Sequence, residues 1–413
     1  MIAARGVARR PVTAFFAIVF VAALSIATVS ARKPVDLDLP DEDIPEELLL
    51  DVGIQVFDPG LPEDDESALE EKGIFPGVRK SEARFLAFHL KNTLESSGHW
   101  GAVRVLPEGV FSEVDLFVSG QILQSTGLKL AVRMAVEDST GKLWVDRRYS
   151  GEADPAAYQD DGTVIGEPYQ DLYDEIANDF AKVRKKMKEK RIREIRQVTR
   201  LRFAGRLAPG VFGDHLRLTK KGRYKIERLP AADDPMIARV ERIRERDFMF
   251  VDTLNEYYDT FYTRMDDSYD DWREFSYEEE KALRELRREA RVRKILGGIM
   301  ILGGAFIDGG SSASRAARDA AVIGGVYAIG SGIEKGQESK IHRESLKELA
   351  ASFDIEITPV LVEVEGRRLR LEGSAEAQYT EWRNLLSELF ENETGFGEEP
   401  DDLNEPAGEP QTR

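Results

Sequence analysis

The spacing of apolar positions changes period along the chain, and the changes mark out elements. "LLLDVGIQVFDPG" (48–60) is a near-continuous apolar run closed by Pro59-Gly60, which predicts a buried strand. In "KSEARFLAFHLKNTLESSGHWGAVRVLP" the apolar residues Ala83, Leu86, Ala87, Leu90 and Leu94 repeat at helical spacing, and Ser96-Ser97-Gly98 stops the helix before a strand at "AVRVL". Three strand-like runs follow, "DLFVSGQILQS", "LKLAVRMAVED" and "LWVDRRYSGEA", with turns at Ser125-Thr126-Gly127 and Asp138-Ser139-Thr140-Gly141. "QDLYDEIANDFAKV" then lines up Leu172, Ile176, Phe180 and Val183 on one helical stripe. The order strand, helix, strand, three-strand meander, helix predicts a mixed αβ domain over 48–185 in a chain of α+β class.

Beyond it the pattern is helical. "KVRKKMKEKRIREIRQVTRLRFAGR" (182–206) is a basic helix, followed by a Pro/Gly-spaced insert with short strands. Ile237, Val240, Ile243, Phe250, Leu254, Tyr257, Tyr258 and Phe261 predict a helix with a wide buried face. The acidic run Asp266, Asp267, Asp270, Asp271 and Glu274 reads as a solvated loop, and the Glu/Arg-rich stretch after it as a further helix with pairs such as Glu280–Arg284. Residues 186–294 thus form a helical middle region. From 337 to 396, "HRESLKELAASF", "DIEITPVLVEVEG", "RRLRLEGSAEAQ" and "YTEWRNLLSELF" predict a small αββα unit, and 397–413 is an acidic, Pro/Gly-rich tail of disordered composition.

Between these regions lies "KILGGIMILGGAFIDGG", beginning at Lys294, with Gly297, Gly298, Gly303 and Gly304 in successive hexads. The preceding Glu/Arg helix runs into it without a break, which favours helix. In "RAARDAAVIGGVYAIGSGIEKG" the small residues Ala316, Ala320, Gly324, Ala328, Gly332 and Gly336 recur every four positions, a stripe that lets another helix approach closely. Residues 295–336 therefore predict a glycine-rich helical hairpin whose arms are shorter than the roughly 20 apolar residues of a lone membrane span. Glycine is a poor choice for an internal core because it weakens a helix and buries little, which points to self-association or membrane contact, with a buried hairpin in the protein's own core as the alternative.

Composition narrows the function. Arg5, Arg9 and Arg10 precede the apolar block "VTAFFAIVFVAALSIATV", and Val29-Ser30-Ala31 offers a cleavage site, so 1–31 reads as a secretory signal and 32–47 as an acidic linker. An uncleaved amino-terminal membrane anchor is the alternative. The chain has no cysteine, which removes disulfides, thiolate metal sites and lipid-modified cysteines. A net charge of −18 over 413 residues argues against nucleic acid as a partner, although the charge is blocky enough for basic and acidic segments to meet within the fold. His89, His99, His215 and His342 have no metal-ligand spacing, and no nucleophile elbow, phosphate loop or S-x-x-K motif occurs, so neither a metal nor a cofactor is expected. The set Tyr257, Tyr258, Tyr262, Tyr269 and Trp272 is a candidate platform for sugar rings, or else core.

The passages "LESSGHWGAVRV", "DLFVSGQI", "VEDSTGKLWVDRRYSG" and "IANDF", in their order, resemble the amino-terminal domain of TolB and the related domains of CsgG and LpoB, all bacterial envelope proteins. The glycine-rich stretch resembles the glycine-zipper hairpins of some envelope proteins, and "VEGRRLRLEGSA" resembles half of a BON domain. The resemblance implies a non-catalytic periplasmic domain that binds other proteins. No propeller repeats follow as in TolB, and the lipid-bearing cysteine of CsgG and LpoB is missing. The expected function is an exported envelope assembly or scaffold protein with a protein partner and a homo-oligomeric or membrane-associated hairpin. The alternative is a cell-wall carbohydrate binder or hydrolase using 257–280.

Overall fold

A computed structural model describes residues 34–71, 73–107, 113–158, 166–231, 233–304, 360–364 and 367–395, without the side chains of 70, 71, 279, 283, 286–304 and 360–369. The sequence pattern between 52 and 185 becomes a five-stranded mixed sheet under two helices. Strand β1 (Val52–Gln55) is followed by the short helix α1 (Glu66–Glu71) and by α2 (Pro76–Ser96), which leads to β2 (Val103–Leu106). The meander β3 (Leu116–Ser125), β4 (Lys129–Asp138) and β5 (Leu143–Glu152) precedes α3 (Gln170–Lys185). The spatial order is β2-β1-β3-β4-β5, with β1 parallel to both β2 and β3 and the meander antiparallel. The expected order of elements and the α+β class are those observed.

Alternation along β3 and β4 separates the two sheet faces. Leu116, Val118 and Ile122 of β3 and Val132, Met134 and Val136 of β4 are buried. Ala83, Leu86, Ala87, Leu90 and Leu94 of α2 and Leu172, Ile176 and Phe180 of α3 join the same core. Ser119, Gln121, Arg133 and Ala135 lie on the opposite, more open face.

The basic run divides between α3 and α4 (Glu189–Leu207), and several of its arginines are engaged within the fold. Arg191 pairs with Asp138 at 2.8 Å, Arg200 with Glu241 at 2.6 Å and Arg206 with Glu113 at 3.0 Å. Arg184, Arg196 and Arg202 donate to the carbonyls of Leu48, Glu46 and Ser139. After the short α5 (Pro209–Phe212), the insert forms the hairpin β6 (Leu216–Leu218) and β7 (Tyr224–Ile226).

The acidic stretch is not a loop. One helix, α6 (Pro235–Gly304), runs for 70 residues, about 105 Å at 1.5 Å per residue, straight through Asp266–Glu274 and into the glycine pairs. No Gly or Pro interrupts 236–296, and Arg273 within the run pairs with Asp270, so the cue that suggested a loop was charge alone. Its predicted apolar stripe is buried at Val240, Ile243, Phe250, Leu254, Tyr258 and Phe261. Strands β8 (Val360–Val364) and β9 (Arg367–Leu371) and helix α7 (Ala375–Thr394) follow, and α7 packs on the first turns of α6, with Phe250 stacked on Trp382 at 5.2 Å. Ser374 caps α7, and Gly395 ends it in the left-handed region. The second glycine arm (Ala316 to Gly336), the helix expected before β8, the signal segment 1–31 and the tail lie outside the described residues.

Where α6 crosses the β3–β4 turn, no side chain intervenes. A Cβ built on Gly127 would stand 1.9 Å from the carbonyl oxygen of Arg273 and 2.3 Å from the amide of Tyr277, both backbone atoms. Gly127→Ala must push the helix off the turn, and a loss of about 2 kcal/mol or more is expected in denaturant unfolding, against a few tenths for an alanine at exposed Gly210.

Candidate functional site

Two places on this fold gather polar groups. The first is buried and holds α6 to the αβ layer. Arg273 is 2 % exposed, and its guanidinium donates to both carboxylate oxygens of Glu167 (2.9 and 2.8 Å) and to Asp270 one turn earlier. The rings of Tyr269 (4.4 Å) and Phe85 (5.3 Å) lie against the same cation. Burial alone would push Glu167 up, but the charge and hydrogen bonds of Arg273 hold it below the usual carboxylate range. Beside it Glu82, wholly buried in α2, accepts from Ser125 Oγ (2.6 Å) and Tyr269 Oη (3.0 Å). Desolvation raises its pKa, and Arg79 at 3.5 Å offsets only part of that. A second seat lies at the sheet edge: Asn255 accepts from the amide of Val105 (2.8 Å) and donates to its carbonyl (2.9 Å), as a neighbouring strand would. Arg104 and Asp252 form a two-pronged pair alongside, at 2.6 and 3.0 Å.

The second place is the open sheet face. Gln55, Asp58, Ser119, Gln121, Arg133 and Asp146 line a trough of about 510 Å³, floored by Gly120 and Ala135. A further hollow of about 240 Å³, lined by Phe117, Glu137, Leu143 and Arg202, shares Ser119 and Ala135 with it. Arg133 and Asp146 form a two-pronged pair at 2.9 and 3.0 Å, and Gln121 donates to Asp58 at 2.7 Å. Gly120 is required here because a Cβ would meet the ring of Phe57 at 2.7 Å. The trough mixes these polar side chains with Val56, Phe57 and Pro59 and opens to solvent.

The sequence-predicted residues are distributed as follows. Tyr258, Tyr269 and Trp272 are buried and Tyr257 and Tyr262 half-buried; Tyr262 stacks on Phe85 at 4.4 Å. Tyr262 and Tyr269 pack against Phe85 of α2, and Trp272 stacks on Tyr269. Gly297, Gly298, Gly303 and Gly304 continue α6 as helix. Asp266, Asp267 and Asp271 share that helix with Asp270, and among the described residues no group of three or more His, Asp or Glu could hold a metal ion. His89 lies between Gln170 Oε1 and Tyr262 Oη, each at 2.9 Å. Gln170 turns its amide nitrogen to Asp174 (2.9 Å), so its oxygen accepts from His89 Nε2–H. His99 and His215 are buried elsewhere, and His342 lies outside the described residues. Sequence reasoning missed Arg273, Glu82, Glu167 and Asn255. Arg273 did carry a signal, as the only cation between 265 and 280.

Comparison of the chain with protein-family models, with curated proteins and with solved structures found no match. No described helix is long and apolar enough to cross a membrane.

Two measurements test the contacts along α6. Arg273→Met leaves Glu167 buried without its cation, and a loss of about 3–5 kcal/mol is expected by denaturant unfolding at pH 7.5; less than 1 kcal/mol would remove the cluster from the account. At the α7 contact, Asp247 accepts from Tyr379 Oη (3.1 Å), and burial pushes its carboxyl up to about 6. A raised folded pKa means the native state holds a proton that the unfolded chain releases. Its contribution is therefore largest in acid and is lost as pH rises through about 6. Going from pH 7.5 to 5, wild type should gain about 1 kcal/mol relative to Asp247→Asn, and equal pH profiles would contradict the assignment.

Proposed function

We propose that this chain is a non-catalytic, exported assembly or scaffold protein of the cell envelope. Its αβ layer takes a protein partner, and its glycine-rich segment associates with a membrane or with other copies. The observation that carries the reading is the continuity of α6, which is packed on the αβ layer as far as Tyr277, holds an exposed ion pair to β5 beyond it (Arg284–Glu152, 3.0 Å) and runs unbroken into the first glycine pairs. Tyr277 stacks on Tyr158 at 4.6 Å, while residues 278, 281, 282, 284 and 285 beyond it are exposed. The 27 residues from Glu278 to Gly304 make about 40 Å of helix. A rod fixed at one end suits a protein that must hold an adhesive segment at a set place relative to a binding surface. The open trough is the surface offered to the partner. The resemblance of 48–185 to the TolB, CsgG and LpoB domains supports the same reading, including periplasmic export by the amino-terminal segment. The carbohydrate alternative draws less support, because Tyr258, Tyr269 and Trp272 are buried and Tyr262 is stacked on Phe85.

The test is fractionation of cells producing wild type or the Gly324→Leu, Gly332→Leu variant, with carbonate and detergent extraction and sizing of each fraction. Wild type is expected with membranes or as an oligomer, and the variant as a soluble monomer, because leucine closes the small-residue stripe. Two soluble monomers would contradict the proposal.

A further inference from the structure

Strand β5 ends the sheet. Among the described residues it pairs only with β4 over Leu143–Glu152, and alternate backbone groups of an edge strand point outward, ready to pair. Its charges are arranged unusually. Arg148 stands directly across from Arg133 on the open face, and like charges so placed weaken a sheet. Arg133 is held by Asp146, while no described carboxylate holds Arg148. On the helix-covered face, Arg147 is neutralised by Glu175 (2.8 Å) and Asp179 (2.6 Å).

We propose that β5 is a pairing edge for β5 of a second copy of this chain, antiparallel about a two-fold axis at Arg147, giving one continuous sheet through both copies. The occupant follows from self-complementarity. A two-fold perpendicular to the sheet keeps each face on its own side, so paired residue numbers must have an even sum. With the axis at Arg147, Asp146 of each copy faces Arg148 of the other, and each like-charged Arg133–Arg148 row gains a carboxylate at its Arg148 end. Val145 then faces Tyr149, a branched side chain against an aromatic one, which favours pairing. The two Arg147 side chains meet at the axis, each already balanced within its own copy. With the axis at Asp146 or Arg148 instead, this exchange of opposite charges is lost. The inference is independent of the glycine-rich segment.

Because the chain has no cysteine, single thiols can be placed on the full-length protein and oxidised with diamide. Paired Cα atoms lie about 4.5–5.5 Å apart, within reach of a disulfide. Arg147→Cys should crosslink to itself about tenfold faster than exposed Lys190→Cys, with circular dichroism confirming the fold. As a second readout that leaves Arg147 intact, Asp146→Cys and Arg148→Cys should crosslink when mixed and poorly when alone. Both patterns should persist in the Gly324→Leu, Gly332→Leu background, which separates this pairing from association through the glycines. Crosslinking at 147 no faster than at 190, or equal rates at every position from 145 to 149, would overturn it.

Discussion

Arg273 carries a full charge into the seam between α6 and the αβ layer, and much of what surrounds it can be read as the set of groups that make this tolerable. An unpaired guanidinium there would be prohibitive. Glu167 therefore turns its whole carboxylate toward it, Asp270 covers a second amino group, and Tyr269 and Phe85 offer ring faces. The partners come from three parts of the chain: Glu167 from the segment before α3, Asp270 and Tyr269 from α6 itself, and Phe85 from α2. One buried cation thereby fixes the axial position of a 70-residue helix, since sliding by a turn would part it from Glu167 and Phe85 and leave only the partners on its own helix.

The neighbouring contacts complete the same constraint. Gly127 lets the β3–β4 turn touch the helix backbone, and Ser276 accepts the amide of Gly127 at 3.0 Å. Asn255 substitutes for a strand at the β2 edge. Both sheet margins are thus accounted for differently: β2 is covered by α6, and β5 is left with charges that suit its own copy. Apolar burial from Val240 to Tyr277 supplies the driving force, and these polar contacts supply the register.

The αβ layer was legible in the sequence because each element carries a local cue: turn residues between strands, apolar residues at periods of two or near four, and a stop at Ser97-Gly98. The helical state of the first glycine pairs was legible too, from the uninterrupted Glu/Arg helix before them. The fate of Asp266–Glu274 was not. A run of carboxylates looks like a loop when the surface that seats the helix is invisible, and Arg273 within the run finds its buried partner Glu167 across 106 residues. The aromatic set showed helical spacing, but that pattern cannot say whether the facing surface is solvent or another helix. The open trough left no local cue either, because it is made from alternate residues of four strands and becomes a surface only once the register is set.

The claim on which all of this rests is that α6 is one rigid helix seated on the αβ layer through the acidic stretch. Amide hydrogen exchange on the full chain tests it most directly. Peptides covering 262–277 should exchange as slowly as those of α2, with protection falling beyond Tyr277. Fast exchange over 266–274, with slow exchange on either side, would mean two helices joined by a loop and would contradict the account.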